Sequence, residues 1–329
     1  MAIAETSSHA PSRPRILLID SLRGLALLAM ASYHFTWDLG FFGYIAPETA
    51  TQGAWKLYAR MIASSFLFLA GFSLVLAHLP VIRWASLGKR FAMVAGAAFV
   101  ISIGTFLAMP DEWIHFGILH NIALSGLIGL AFLRLPALLT ALVATGIAAA
   151  GYIDGYVHPG LFDSAIFDPR YLNWTGFAAT PPRSNDFVPL FPWLAAPLLG
   201  IAVARLALTR GWLTRLAEWQ MKPNGLGRIG RHSLAFYLIH QPVLIGLLYL
   251  FSLVYPAPAP DPMQSYMRSC ESGCIGSGEN AGMCQRFCSC TAEGLAQQSL
   301  LLPMNRGQVN PQTDERVQAL ALECSFSAR

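Results

Sequence analysis

Residues 233–255 read Ser233-Leu-Ala-Phe-Tyr-Leu-Ile-His-Gln-Pro-Val-Leu-Ile-Gly-Leu-Leu-Tyr-Leu-Phe-Ser-Leu-Val-Tyr255. This run contains no Asp, Glu, Lys or Arg, and a helix needs roughly 20 apolar residues to cross about 30 Å of hydrocarbon. The stretch therefore predicts a transmembrane helix. Similar runs predict further spans, which lie near Ile16–Phe35, Leu57–Leu79, Phe91–Met109, Trp113–Leu133, Pro136–Tyr152 and Phe187–Leu208. Together they predict an all-α, polytopic membrane helix bundle of about seven transmembrane helices.

The composition also favours lipid over water as the solvent. Of the 329 residues, 54% are hydrophobic and 12% are charged, whereas a soluble chain carries about 25% charged residues. The net charge of +4 is small, and no basic block or nucleic-acid motif is present, so nucleic acid is excluded as a partner. The first apolar run follows Arg13 and Arg15 without a convincing cleavage site, so we expect an uncleaved anchor.

Basic residues fall unevenly on the two sides of the predicted bundle. If the N-terminus is cytoplasmic, the segments on that side contain Arg13, Arg15, Arg23, Arg83, Lys89, Arg90, Arg134, Arg205, Arg210, Arg215, Lys222, Arg228 and Arg231. The opposite loops contain Lys56, Arg60, Arg170 and Arg183. Because cytoplasmic segments are enriched in Lys and Arg, the N-terminus is predicted to be cytoplasmic.

All six cysteines lie late in the chain, between Cys270 and Cys324. An odd number of spans sends this tail out of the cytoplasm, into a compartment where disulfides persist. We therefore predict a multi-pass protein of the cell inner membrane with a periplasmic tail. The predicted organisation is a flexible N-terminus at 1–12, a transmembrane domain at 13–255 and a Cys-rich extracytoplasmic tail at 256–329.

The spacing of the cysteines predicts a small helical hairpin. Two pairs have a spacing of four residues, which places each pair on one helix face, and they stand on either side of a Gly-rich turn. The pattern favours three disulfides, Cys270–Cys288, Cys274–Cys284 and Cys290–Cys324. Other pairings are possible. A zinc site is the alternative, but the usual C-x2-C spacing is absent, and no metal site is predicted.

Ionisable residues inside a span are costly and are candidates for function. Asp20 and Arg23 lie near the cytoplasmic end of the first span and can pair along the helix. Arg23 is either a snorkelling anchor or a guanidinium aimed at an anionic ligand such as phosphate. Gly24 beside it would let a backbone or a ligand approach closely.

Histidines recur inside the spans. His34 lies near the outer end of the first span, with Asp38 one turn later in position to orient the imidazole; the alternative is an anchor at the interface. His120 and Asn121 lie a turn or more inside the fourth span, where both need hydrogen-bond partners. Each is therefore either a structural residue or part of a site.

The sixth and seventh spans begin with unusual residues. Asp186 precedes the sixth span, either as its N-cap or as a site residue, and two prolines in the first turns predict a loosened helix start that lines a cavity. His240 and Gln241 lie near the middle of the last span, next to Pro242, which would free a backbone carbonyl and open the helix.

The polar residues are predicted at three depths. Arg23, Arg231 and His232 lie at the cytoplasmic end, His240 and Gln241 in the middle, and His34, His120 and Asp186 toward the outer end. This distribution predicts either a ligand path across the bilayer or the polar core of a transporter.

Four groups of these residues resemble one family of membrane enzymes. They are Asp20-x2-Arg23-Gly24 with Tyr33-His34-Phe35, then Phe116-Gly117-Ile118-Leu119-His120-Asn121, then Asp186-Phe187-x-Pro189-Leu-x-Pro192-Trp193, and finally Ser233-Leu-x-x-Tyr237-Leu-Ile-His240-Gln241-Pro242. Together they are similar to the bacterial heparan-alpha-glucosaminide N-acetyltransferase-like family, within a wider transmembrane acyltransferase superfamily. The resemblance covers roughly Arg13 to Tyr255.

The resemblance implies acetyl transfer across the membrane. The family's lysosomal relatives move an acetyl group from cytosolic acetyl-CoA to a glucosamine amine on the far side. By motif, His34 matches the histidine expected to serve this transfer, and Arg23 matches the arginine expected to help hold CoA. Imidazole suits the base that deprotonates an incoming amine or hydroxyl near neutral pH. A covalent acetyl-imidazole is the alternative.

We therefore predict an acyl-CoA-dependent acyltransferase that uses acetyl-CoA as co-substrate and an extracytoplasmic glycan or glycolipid as acceptor, with membrane lipids as its other partners. His34 is the predicted catalytic residue, oriented by Asp38 or Asp186. The residues predicted to bind CoA are Arg23, Arg231, His232 and Arg228. The residues predicted to line the substrate path are His120, Asn121, His240 and Gln241, and Asn121 or Gln241 is the predicted oxyanion donor.

Two other functions compete with this prediction. The rival is a transporter or flippase for a glycan or lipid, which would use the same polar core without acyl chemistry; the internal repeats typical of transporters are not evident. A third hypothesis makes the apolar body an anchor for the tail. The intramembrane histidines argue against it, since an anchor needs none.

Overall fold

The structure, a computed structural model, describes residues 16–218, 222–258, 261–305 and 307–328. Helices dominate these ranges, in which the extended pairing is an isolated bridge between Ser164 and Ala178. The predicted all-α class is confirmed. The flexible N-terminus predicted at 1–12 lies outside the described residues, as do Arg13 and Arg15. Contacts divide the chain into two units, Met1–Phe251 and Ser252–Arg329.

The helices follow one another along the chain with short connections, apart from a long segment between the fifth and sixth. Those of the first unit are α1 (Leu17–Phe41), α2 (Gly53–His78), α3 (Trp84–Ala108), α4 (Ile118–Phe132), α5 (Ala137–Tyr152), α6 (Leu190–Trp193), α7 (Ala195–Thr209), α8 (Trp212–Glu218), α9 (Gly225–Arg231) and α10 (Ser233–Val254). A π-helical turn, Ile153–Val157, extends α5. Those of the second unit are α11 (Pro262–Gly276), α12 (Ala281–Gln297), α13 (Leu301–Asn305) and α14 (Glu315–Ser327).

Within the described residues, five segments are long and apolar enough to cross a membrane. They are α2, α3, α10, the segment Ala137–Val157 and the segment Leu190–Thr209. The other two predicted spans differ from these. α1 has 25 residues but carries Asp20, Arg23 and Asp38. α4 has 15 residues, because it begins only at Ile118 and the preceding part of the predicted span is not helical.

Proline disrupts the start of the sixth predicted span but does not interrupt the last span. Phe191, inside α6, has φ −89° and ψ 134°, which is not helical. The residue before a proline is pushed out of the α region, and Pro192 follows. In contrast, α10 continues as one helix through Pro242, so the predicted opening there does not interrupt it.

Glycines let α2 and α7 pack backbone to backbone. A Cβ at Gly71 would collide with the carbonyl of Pro197, and a Cβ at Gly200 would collide with the carbonyl of Phe68. Fully buried Leu198 fills the same interface. Small residues at such contacts are typical of membrane bundles, where close packing rather than the hydrophobic effect holds helices together.

A second backbone contact joins α9 to the first turns of α1. A Cβ on Gly24 would collide with the backbone of α9, and a Cβ on Gly230 would collide with the backbone of α1. Because α10 starts two residues after α9 ends, this contact fixes where α10 begins beside α1. Ten residues beyond Gly24 and Gly230, the two helices place His34 and His240 side by side, so α1 and α10 run parallel.

The second unit is a helical hairpin, α11 and α12, extended by α13 and α14. The side chain of Asp261 caps α11 and that of Asn280 caps α12, and Gly278 turns the chain between them with φ +92°. The three disulfides are Cys270–Cys288, Cys274–Cys284 and Cys290–Cys324. They are the three pairs that the spacing favours. Since no cysteine is left free, the zinc alternative does not apply.

Candidate active site

Two histidines from different helices meet inside the first unit. The ring centroids of His34 on α1 and His240 on α10 are 5.0 Å apart. One turn beyond His34, Asp38 accepts a hydrogen bond on Oδ1 from Nε2 of Gln241 at 2.6 Å. Asp38 is fully buried, and His34 is partly exposed. We call His34, Asp38, His240 and Gln241 the histidine site.

Hydrogen bonding sets the chemical character of the histidine site. Nδ1 of His240 lies 2.7 Å from the carbonyl oxygen of Tyr237. A carbonyl only accepts, so Nδ1 carries the proton and Nε2 of the neutral ring is an acceptor. Nε2 of His240, Oδ2 of Asp38 and Oε1 of Gln241 are buried without a partner among the described residues. Three unmatched acceptors call for a ligand that donates hydrogen bonds.

The structure differs from the sequence-based arrangement of this site in depth and in pairing. His240 and Gln241, predicted at mid-depth, lie beside His34 and Asp38, predicted farther out. The contact of α9 with α1 explains this difference, because it places the start of α10 beside a point one to two turns into α1. In the described part of the chain, neither Asp38 nor Asp186 hydrogen-bonds to His34.

Asp186 caps a helix other than the one it precedes. Its Oδ2 accepts a hydrogen bond from the backbone N–H of Ile118, the first residue of α4, at 2.9 Å, and a Cβ on Gly117 would collide with this carboxylate. The Asp186 charge also acts on Tyr33 and Tyr237, neighbours of the histidine site in sequence. Burial raises the pKa of Asp186 to about 6, against the opposite effect of the Ile118 hydrogen bond.

His120 and Asn121 are tied into the fold by hydrogen bonds. Nδ1 of His120 accepts from the N–H of Gly117, and its Nε2 lies 3.2 Å from the hydroxyl of Ser102. Nδ2 of Asn121, a fully buried residue, donates to two carbonyls just before α6, each at 3.0 Å. Both amide protons are thereby used, so Asn121 does not offer the oxyanion donor that the sequence suggested.

Arg23 points into the bundle at the end where α1 begins, which we call the basic end. Its Nη1 donates to Oδ1 of Asp20 at 3.1 Å, the i,i+3 pair predicted from the sequence. A second guanidinium nitrogen bonds to the hydroxyl of Ser73 on α2. The close approach that Gly24 permits is made by the backbone of α9. Arg23 therefore links α1 to α2 beside the α1–α9 contact.

A cavity of about 260 Å³ opens at the basic end between Leu17 and α9. Arg228 and Arg231 line it, and both side chains are exposed. His232 does not line this cavity; its Nδ1 lies 3.1 Å from the carbonyl oxygen of Arg228, and it ends α9. Two of the basic residues considered for CoA therefore face one space, while His232 and Arg23 lie elsewhere.

Two uncharged residues of this arrangement were not predicted from the sequence. Tyr237 holds His240 through its carbonyl and packs among the core side chains around Leu27, Leu67 and Leu119. Tyr237 stands one turn before Gln241 in the last of the four motifs, and this position was the sequence signal that could have identified it. Ser73 carries no such signal, because a lone serine in an apolar run is common.

The match to a known family covers this whole arrangement. Residues 15–242 match the family described as heparan-alpha-glucosaminide N-acetyltransferase, catalytic. The matched range includes the histidine site, Asp186 and both arginines of the cavity. No curated protein and no solved structure matches the chain. The several apolar helices make it a membrane protein, and the family name describes an acetyltransferase. The chain belongs to the heparan-alpha-glucosaminide N-acetyltransferase catalytic family.

Proposed function

We propose that this protein moves an acetyl group from cytoplasmic acyl-CoA to an amine or hydroxyl of an extracytoplasmic glycan or glycolipid. The observation that carries the proposal is the histidine site, where two imidazoles lie 5.0 Å apart beside a buried carboxylate–amide pair. Polar groups inside a membrane are costly and mark functional sites. Family membership supports the reaction type.

The unmatched acceptors of the histidine site favour an amine over a hydroxyl. A hydroxyl donates one hydrogen bond, whereas an ammonium group donates three. Three buried acceptors without partners lie on His240, Asp38 and Gln241. An ammonium would satisfy all three and would be attracted by the carboxylate of Asp38. We therefore favour an amino sugar as the reacting end of the acceptor.

His34 is our choice for the general base. The bound ammonium first loses one proton to water, which leaves a neutral amine. As the amine nitrogen forms a bond to the acyl carbon, His34 takes a second proton from it, the carbon–sulfur bond breaks, and the sulfur leaves as a thiolate that receives this proton from His34. Proton transfer by a positioned side chain contributes roughly 10²- to 10⁴-fold to such a rate. His240, with its proton fixed on Nδ1, would hold the amine through Nε2 while His34 accepts the proton.

The basic end is our choice for the donor. Acetyl-CoA supplies a thioester, an acetyl group already activated for transfer. Arg228 and Arg231 would hold its phosphates, because both guanidinium groups face the cavity of about 260 Å³ and guanidinium binds phosphate through paired hydrogen bonds. Arg23 lies farther inside, between that cavity and the histidine site along α1. It would bind the part of the donor that enters the bundle.

The proposed location follows from the charge bias of the loops. We place the protein in the cell inner membrane, with the basic end in the cytoplasm and the tail in the periplasm. In this arrangement the domain at 13–255 carries the transferase and the tail at 256–329 lies outside. The three disulfides of the tail are consistent with an oxidising compartment.

Acetyl transfer by the purified protein tests the proposal. Labelled acetyl-CoA is offered with two matched glycan pools, one with free glucosamine amines and one in which every amine is already acetylated. We expect label in the first pool only. His34→Ala should lose this transfer, and His158→Ala, an exposed loop histidine outside the site, should keep it.

The same assay separates the enzyme from the transporter. A transporter with the same polar core would release no CoA thiol and label no acceptor, with or without His34. Equal labelling of both pools would retain the transferase but move the acceptor from an amine to a hydroxyl. Equal labelling by wild type and His34→Ala would remove His34 from the chemistry.

A further inference from the structure

Arg90 is a charged side chain without a protein partner inside the first unit. It lies on α3, in the second turn of the helix, and lines a cavity between α2, α3, α4 and α7. In the described ranges, no hydrogen bond or ion pair reaches its guanidinium group. Charged residues within spanning helices nearly always pair with another group. An anionic ligand beside Arg90 would supply the partner that this guanidinium group needs.

The surroundings of Arg90 add positive charge. The charge of Arg23 acts on Arg90, and the ion pair with Asp20 neutralises Arg23 but not Arg90. His78, at the end of α2, also lies within electrostatic range of Arg90 and is 1% exposed, with Nδ1 unpartnered among the described residues, and it offers Arg90 no negative charge. Like charges repel strongly where water is excluded, so an anion beside Arg90 would stabilise the bundle.

The cavity beside Arg90 offers space and a hydroxyl. Its volume is about 50 Å³, and one water needs roughly 10–15 Å³ by the same measure, so a small polyatomic group fits. Ser125 of α4 lines the cavity, and its Oγ is buried without a partner among the described residues. Apolar residues such as Leu74 and Phe91 form most of the remaining wall. The site combines a cation and a donor with an apolar surface.

We propose that Arg90 and Ser125 form a binding subsite for a phosphate group carried by an amphiphilic molecule. The guanidinium neutralises the phosphate, the Ser125 hydroxyl donates to one of its oxygens, and the apolar wall receives the chain attached to it. Two molecules carry this chemistry, acyl-CoA and an anionic phospholipid. The first source rests on the proposed function, and the second does not.

Two binding measurements on the full chain in detergent test the subsite. One measures the affinity for CoA, and the other counts phosphatidylglycerol molecules retained in native mass spectra. The variant is Arg90→Gln. The matched control is Lys89→Gln, which removes the neighbouring charge at an exposed position that does not line the cavity. Loss of a charged hydrogen-bonding group is expected to weaken binding about tenfold or more.

Each outcome has a definite meaning. A tenfold loss of CoA affinity in Arg90→Gln alone supports the subsite with acyl-CoA as its source. A loss of retained phosphatidylglycerol in Arg90→Gln alone supports it with a phospholipid as its source, even if the wild type binds no CoA and the proposed function fails. The subsite is overturned if Arg90→Gln binds both probes as the wild type does. It is also overturned if Lys89→Gln reduces binding as much as Arg90→Gln does. If Arg90→Gln does not fold, Arg90→Lys replaces it, with a several-fold loss expected in the same probe.

Discussion

The imidazole of His34 lies against that of His240, with ring centroids 5.0 Å apart, although the two residues stand at opposite ends of the family match. Their contact depends on Gly24 and Gly230, which let α9 rest on the backbone of α1 and so set the starting point of α10. A site made by two parallel helices is thus positioned by a backbone contact ten residues away on each segment of the chain, which is roughly three helical turns or about 15 Å at 1.5 Å per residue.

Replacing His240 by Phe tests the role of its Nε2. Phenylalanine keeps an aromatic ring against His34 but removes the acceptor that the Tyr237 hydrogen bond exposes. We expect acetyl transfer to fall about a hundredfold or more while the melting temperature stays near that of the wild type. His158→Phe is the control. A large loss of thermal stability with normal transfer in the surviving protein would assign His240 to packing instead.

The Asp38–Gln241 hydrogen bond is testable by exchange of its partners. Gln241→Glu replaces the amide that donates to Asp38 at 2.6 Å with a second carboxylate. We expect the melting temperature to fall by roughly 5–10 °C. Adding Asp38→Asn restores one donor and one acceptor, so the double variant should recover most of that loss. Additive effects of the two changes would mean that the side chains do not interact.

Gly230→Ala tests the contact that positions α10. Its new Cβ would collide with the backbone of α1, so we expect a destabilisation of at least about 1–3 kcal/mol and weaker CoA binding through displaced Arg231. Gly246→Ala in α10 meets nothing within 4 Å and should be neutral or stabilising by up to about 1 kcal/mol. Thermal unfolding of both variants provides the measurement, and equal behaviour would contradict the contact.

Asp186 should make stability depend on pH. Its pKa in the folded protein is raised to about 6 by burial, so the folded state holds the proton more tightly than the unfolded state. Such a group favours folding when it is protonated, and the contribution is lost as pH rises from about 4 through 6. We expect the wild type to melt at a higher temperature at pH 5 than at pH 7.5. Asp186→Asn should lack this component, and an identical pH profile in both proteins would exclude it.

The side of the membrane that holds the tail is measurable through its disulfides. All six cysteines are paired, so the wild type offers no thiol. Cys284→Ser breaks the pair with Cys274, whose side chain is half-buried, and leaves one thiol for an impermeant maleimide. We expect labelling in right-side-out vesicles and little in inverted vesicles. The reverse result would place the tail in the cytoplasm.

Local patterns predicted much of this structure, and long-range contacts explain the rest. The apolar runs predicted the helices, and the spacing of four residues favoured the disulfide pairs because both depend on neighbours in sequence. The partners of Asp186 and His240 depend on where distant helices meet. Asp186 caps α4 across the loop, and His240 reaches His34 only because α9 docks on α1. The residues around those positions predict neither contact.

A transfer assay with the two substrates on opposite faces of a membrane tests whether His34 serves acetyl transfer across it. Wild type and His34→Ala are placed in sealed liposomes, with labelled acetyl-CoA on the face of the basic end and a glucosamine-terminated glycan on the other. We expect labelled N-acetyl groups on the glycan with wild type and at least about a hundredfold fewer with His34→Ala. If wild type and His34→Ala label the glycan at equal rates, His34 is not the base, and if wild type neither labels the glycan nor releases CoA, the protein is not this transferase.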